Sequence, residues 1–174
     1  MISNSSSSHN RTLQPQTLRI QASVRRKTIE YDAIFQIARN SVTLLIGQSG
    51  CGKTTMLRDL SGTALPSMEV SSEISNLTDN ISKRNNIEYL PQCDNLLFHY
   101  KKHTVLQILD IFSLAASGKN ILESQFESLM NQVVMNKSIQ DRLYGELSGG
   151  ERMRVRLATI LLSQKPIWIL DEVK

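Results

Sequence analysis

The sequence predicts an α/β domain that carries a helical insert. Three observations support that reading. Val42–Ile46 is a continuous apolar run rich in β-formers, as expected of a parallel strand buried on both faces. From Thr104 the apolar spacing becomes helical, with Val105, Ile108, Leu109 and Phe112 at i, i+3, i+4 and i+7. Ile167–Leu170 is then a second continuous strand-like run, so strands stand at both ends of a helix-rich middle.

The elements follow in order. Residues 1–16 are a polar tail containing the serine run Ser5–Ser8, expected to be disordered. The tail has no apolar core of the kind a secretory leader needs. Leu18–Val24 alternates apolar and polar residues and reads as an edge strand, with Arg25-Arg26-Lys27 as a solvated turn. Ala33–Ile37 is a further strand. The run at Val42–Ile46 stops at Gly47, and a short helix carrying Met56, Leu57 and Leu60 ends near Gly62. Residues 61–86 are rich in Ser and Asn, with weak strand signals at Glu73-Ile74 and just beyond, at Ile87–Leu90. After the helix that begins at Thr104, another is expected from about Leu122 to Met135. A third starts after Gly150, with Met153, Leu157, Ile160 and Leu161 as its apolar stripe. Trp168 reads as core, Arg152, Arg154 and Arg156 as a solvated face, and Cys51 and Cys93 as small fillers.

Composition narrows the function classes. The chain of 174 residues has the length of about one domain, with 40% apolar and 21% charged residues. No run approaches the ~18 apolar residues of a membrane span, which excludes a self-contained channel. Two cysteines cannot staple a disulfide scaffold and suit a reducing compartment. The net charge is +4, but Arg11, Arg19, Arg25, Arg26 and Lys27 all precede the first acidic residue, Glu30. The body is therefore near neutral, and no nucleic-acid partner is expected.

Three motifs carry chemistry. Gly47-Gln48-Ser49-Gly50-Cys51-Gly52-Lys53-Thr54 has the G-x-x-x-x-G-K-[ST] form, directly after a strand pattern and before a helix pattern. The glycines let successive N–H groups turn inward on phosphate oxygens, and the helix adds its positive end. Lys53 would reach the β- and γ-phosphates, and the Thr54 hydroxyl would ligate Mg²⁺. Leu147-Ser148-Gly149-Gly150-Glu151 is locally a helix start, with Ser148 and Glu151 forming a capping box. Ile167-Trp168-Ile169-Leu170-Asp171-Glu172 would deliver two carboxylates to the end of a strand, one directed to Mg²⁺ and one able to act as a base.

In this order the motifs resemble the nucleotide-binding domain of the ATP-binding cassette (ABC) family. Gly47–Thr54 matches its Walker A motif, Leu147–Glu151 its signature, and Ile167–Glu172 its Walker B motif with the adjacent acid. Tyr89-Leu90-Pro91-Gln92 looks like its Q-loop, and the spacing between the four fits. The resemblance covers residues 17–174. It implies a P-loop NTPase with a RecA-like parallel sheet, an N-terminal antiparallel β subdomain and a helical subdomain at about 95–150. It implies ATP and Mg²⁺ as ligands and an ATPase coupled to transport. Lys53 and the backbone through Thr55 would hold phosphates. Thr54 and Gln92 would contact Mg²⁺, and Asp171 would hold it through water. Glu172 would be the general base, with Gln92 also sensing a transmembrane partner. Ser148, Gly149 and Gly150 would touch the γ-phosphate of ATP on an opposing subunit, in a head-to-tail dimer at the cytoplasmic face of a membrane.

The sequence departs from that family at two places. The window Ser23–Thr28, where an adenine-stacking aromatic residue is expected, holds none, and Tyr31 is the nearest. After Glu172 the chain reads Val173-Lys174, whereas the family continues with a Pro-Thr pair, a D-loop and a strand ending in a switch histidine. His9, His99 and His103 all precede the signature and cannot supply that histidine. The favoured expectation is a break in a longer gene product. The alternatives are a nucleotide-binding regulatory fragment without turnover, and a non-transport cassette protein.

Overall fold

The computed structural model describes residues 17–26, 29–38, 40–63, 69–75 and 86–172. The polar tail at 1–16 lies outside them. The chain divides into two compact units, Met1–Met56 with Pro66–Asn80, and Leu57–Leu65 with Ile81–Lys174.

The first unit holds a three-stranded antiparallel sheet of β1 (Thr17–Arg26), β2 (Ile29–Ala38) and β3 (Glu69–Ser75), in the order β2-β1-β3. The register runs from Thr17 opposite Ala38 to Arg26 opposite Ile29, and from Arg19 opposite Ser75 to Arg25 opposite Glu69. Two sequence expectations change here. β1 is the centre of this sheet, not an edge. Alternation reports one apolar face but not the number of ladder partners, and the Ser-rich β3 gave little signal of its own. Arg25 and Arg26 belong to β1 and not to a turn, and Lys27 lies outside the described residues.

Val42–Ile46 is also not a strand. It has no regular secondary structure and pairs with nothing among the described residues, and Val42 and Ile46 are 100% and 81% exposed. The run has strong β propensity. Propensity records how well a residue fits a pleated, half-buried surface, and without a ladder partner that surface does not exist.

The second unit pairs β4 (Ile87–Leu90) with β5 (Ile167–Leu170) in parallel, Ile87 opposite Ile167 and Leu90 opposite Leu170. The Asp171 N–H extends the ladder by donating to Leu90 O at 3.0 Å. Four helices lie between these strands in sequence: α2 (Asn95–Tyr100), α3 (Val105–Ser117), α4 (Glu123–Gln132) and α5 (Gly149–Ser163). The preceding helix, α1, spans Lys53–Leu60. α2 had no sequence expectation. It is a single short turn set by Asp94, whose side chain accepts from the Leu97 N–H. α3 starts at a capping box in which Thr104 Oγ1 and Gln107 Oε1 exchange bonds with each other's backbone N–H.

The core of this unit joins Val105, Ile108 and Leu109 of α3 to Phe126, Leu129 and Met130 of α4, with Tyr144, Val155 and Ala158. Phe112 packs partly buried against it. Leu109 is fully buried, so Leu109→Ala is expected to cost about 2–5 kcal/mol. The measurement is a lower urea midpoint at unchanged slope.

Three expected side-chain environments differ from those observed. Trp168 is 47% exposed, its indole N–H donating to Lys165 O, because alternation along β5 turns it to a face that no described element of this unit covers. The buried residues of α5 are Val155, Arg156, Ala158, Thr159 and Ile160, whereas Met153, Leu157 and Leu161 are half-buried. The helix packs against β4 as well as α3 and α4, which widens and rotates its inner face. Arg156 is therefore buried, and Arg152 is engaged with Asp94. Only Arg154 of the three arginines is solvated.

Candidate functional site

In the first unit the chain turns back on itself between Gly47 and Thr54. The Cys51 N–H donates to Gln48 O at 3.3 Å, and Gly50 and Gly52 take φ values of +80° and +98°. Side chains avoid that left-handed region, so the two glycines are what allow the loop to close. α1 starts at once, at Lys53, and the Met56 N–H donates to Gly52 O. Lys53 folds over the loop, its ammonium donating to Gly47 O at 2.7 Å and Gln48 O at 2.9 Å. A cation is thus held at the rim of a loop made mostly of exposed residues, Gln48, Ser49 and Cys51 among them. Thr54 and Thr55 lie in the first turn of α1, half-buried.

In the second unit the parallel pairing of β4 and β5 brings together residues 80 positions apart in sequence. Gln92 Nε2 donates to Glu172 Oε2 at 2.6 Å. Asp171, one residue earlier, is 3% exposed and accepts from the Tyr89 hydroxyl at 2.9 Å. Burial is the main reason that phenol is pushed up to about 12, and the bond to Asp171 adds to it, so Tyr89 stays a neutral donor. Arg58 of α1 also hydrogen-bonds Tyr89, which raises the guanidinium still further. Glu172 sits at φ +45°, an uncommon conformation for a non-glycine residue and one that clusters at functional sites.

The loop from Pro91 to Asp94 is tied to α5. Arg156 donates from Nη2 to the carbonyls of Pro91 and Cys93, and Arg152 Nε lies 3.3 Å from Asp94 Oδ2. The buried Tyr144 hydroxyl donates to both Asp94 oxygens, at 2.9 and 3.1 Å. Burial and the Asp94 charge raise the pKa of that phenol well above its ordinary range.

Ser148 caps α5. Its hydroxyl accepts from the Glu151 N–H, and Glu151 Oε2 accepts from the Ser148 N–H at 2.7 Å. That backbone bond is the first cause of a lowered Glu151 carboxyl pKa, with the Ser148 hydroxyl and Arg142 adding to it. The capping box read from the sequence is present. Leu147 is buried, whereas Ser148, Gly149 and Gly150 are exposed. A Cβ built on Gly149 or Gly150 would meet no atom within 4 Å.

Sequence reasoning gave no role to Tyr89, Arg58, Asp94 or Tyr144 and missed the burial of Arg156. Tyr89 carried one signal, since it opens the Tyr89–Gln92 motif one residue before the strand end. Arg156 carried another, at i+4 from Arg152 and between the apolar Val155 and Leu157. Nothing local pointed to Arg58, Asp94 or Tyr144, whose partners are distant in sequence.

Comparison with known proteins gives consistent results. The family model described as ABC transporter matches residues 31–174. The chelated iron transport system membrane protein YfeB of Yersinia pestis is 30% identical over 154 residues, covering 83% of this chain and 50% of that protein. The probable branched-chain amino acid transport ATP-binding protein LivF of Archaeoglobus fulgidus is 29% identical over 160 residues, covering 90% of this chain and 66% of that protein. The chain thus spans about half to two thirds of the length of these curated relatives. The solved ADP conformation of an ATP-binding cassette of an ABC transporter superposes with a TM-score of 0.67 at 17% identity, covering 88% of this chain and 79% of that one. That likeness gives the fold, a P-loop NTPase domain with a parallel sheet. The family-model match extends over more than four fifths of the sequence and includes all four motifs, and on that ground the chain belongs to the ABC transporter family.

Proposed function

We propose that this chain is the ATP-binding part of an ABC transporter, binding Mg-ATP and coupling its hydrolysis to movement of a substrate across a membrane. The observation that best supports the reading is the 2.6 Å bond from Gln92 to Glu172 beside the buried Asp171. Two sequence-distant motifs, each with a bland local explanation, meet at the end of one pair of parallel strands, where ligands bind in open α/β sheets.

The roles are then as follows. The N–H groups of Gly47–Thr55 and the Lys53 ammonium hold the phosphates. Lys53 exchanges its bonds to the Gly47 and Gln48 carbonyls for phosphate oxygens. Glu172 accepts a proton from the attacking water, and Gln92 orients that carboxylate. Thr54 and Gln92 would hold Mg²⁺, with Asp171 acting through water. The donor set fits this ion. Thr54 offers a hydroxyl oxygen, Gln92 an amide oxygen and Asp171 a carboxylate, and Mg²⁺ commonly takes one or two protein oxygens with waters and substrate phosphates. Mg²⁺ held there would supply positive charge that offsets the charge of the phosphates.

Gly149 and Gly150 support a second subunit as partner. Glycine within a helix costs about 0.5–1 kcal/mol relative to alanine. Among the described residues nothing crowds either position. The bare helix N-terminus suits close approach by an anion from outside, which we assign to ATP on an opposing, head-to-tail domain. Among the described residues no helix is long and apolar enough to cross a membrane. We assign the membrane-spanning partner to a separate subunit or another part of a longer protein, with action at the cytoplasmic face, on the ground of the family match.

The test is a thermal melt with and without Mg-ATP. At 100-fold over its dissociation constant, ATP should add about 2.7 kcal/mol to the folded state. A melt that ATP does not move at millimolar concentration would overturn the proposal.

A further inference from the structure

We propose that Arg156 is a positioning residue for Gln92: its guanidinium grips the backbone on both sides of that residue and so sets where the Gln92 side chain meets Glu172. The proposal rests on the reading of Gln92 and Glu172 given above.

Arg156 lies in the middle of α5 and is only 5% exposed. A buried guanidinium is costly unless its N–H groups find acceptors. Here Nη2 finds two, the Pro91 carbonyl and, at 3.1 Å, the Cys93 carbonyl. These are the carbonyls immediately before and after Gln92. Gln92 itself is exposed, on a short link between β4 and α2. With no hold on its backbone, such a residue would sample many positions, and its bond to Glu172 would order it only at an entropic cost. Arg156 removes that freedom at the peptide level and leaves the side chain available for chemistry.

One turn earlier on the same helix face, Arg152 repeats the pattern. Its Nε pairs with Asp94 and its Nη1 donates to Leu147 O at 2.8 Å. Residues 91, 93 and 94 are therefore held by two successive turns of α5. The first of those turns also holds Leu147, next to Ser148. A shift of α5 carries both loops with it, and Arg156 is the tie that reaches Gln92. Both bonds leave one nitrogen, Nη2, whose N–H directions the planar guanidinium fixes, whereas a lysine ammonium rotates freely on a flexible stem and holds the two carbonyls less firmly.

The experiment uses the full chain carrying Cys51→Ser, so that the exposed Cys93 is its one remaining thiol. The rate at which Cys93 reacts with a small disulfide reagent reports the freedom of the clamped loop. Arg156→Lys and Arg156→Met should each raise that rate several-fold, and the solvated Arg154→Gln should leave it unchanged. In turnover, Arg156→Lys should lower kcat by about 100-fold, the scale for misplacing a reacting group by an ångström, with KM for ATP unchanged. Arg156→Lys is the milder change and serves if Arg156→Met does not fold, as judged by far-UV circular dichroism. A folded Arg156→Lys chain with the parent Cys93 rate and parent kcat would overturn the proposal. If Gln92→Ala keeps full turnover, it is the site reading that fails, and the Cys93 rate alone then decides whether the clamp exists.

Discussion

Lys53→Ala is expected to weaken ATP binding by at least about 100-fold. A hydrogen bond to a charged group contributes about 1.5–3 kcal/mol, and Lys53 would serve more than one phosphate oxygen. In the free chain the ammonium ties together the Gly47 and Gln48 carbonyls, and these are the bonds it would exchange for phosphate oxygens. Titration calorimetry with ATP in the absence of Mg²⁺ reads this effect directly. Lys53→Met keeps the stem, and it should lose nearly as much affinity if the charge matters more than the packing. Retained affinity in both variants would mean that the loop does not bind phosphate.

Glu172→Gln is expected to leave ATP binding intact and lower turnover by about 100- to 10,000-fold, the usual range for loss of a general base. The replacement is isosteric, and its amide oxygen can still accept from Gln92 Nε2, so the observed contact survives while the basic carboxylate is lost. If two such domains close over ATP, the variant should also accumulate as an ATP-dependent dimer. Light scattering on a sizing column measures that species. Hydrolysis at the parent rate would place the base elsewhere and return Glu172 to an ordinary strand-end acid.

The two tests divide the site as the chain does. Lys53 tests the phosphate loop, whose geometry is local and follows from glycines at two left-handed positions. Glu172 tests an arrangement that exists only because β4 and β5 pair. Arg156 then tests whether α5 governs the second arrangement.

The sequence by itself determined the elements whose causes are local. The helical period at Val105–Phe112, the capping box at Ser148 and the glycine loop at Gly47–Thr54 are all written within a few residues of where they act. Their contacts span three to six positions, so a short window of sequence reveals them. The family resemblance came from the order of four such local signals. The tertiary structure decided everything that depends on a partner distant in the chain. Val42–Ile46 has the composition of a buried strand yet is not one, because a strand is defined by its neighbours. Trp168 is hydrophobic yet exposed, and Arg156 is charged yet buried, because burial depends on what packs against a position. The Gln92–Glu172 and Tyr89–Asp171 pairs required β4 and β5 to align in one register. Pairing register is a long-range property, set by how whole segments bury their faces, and no local window of residues contains it.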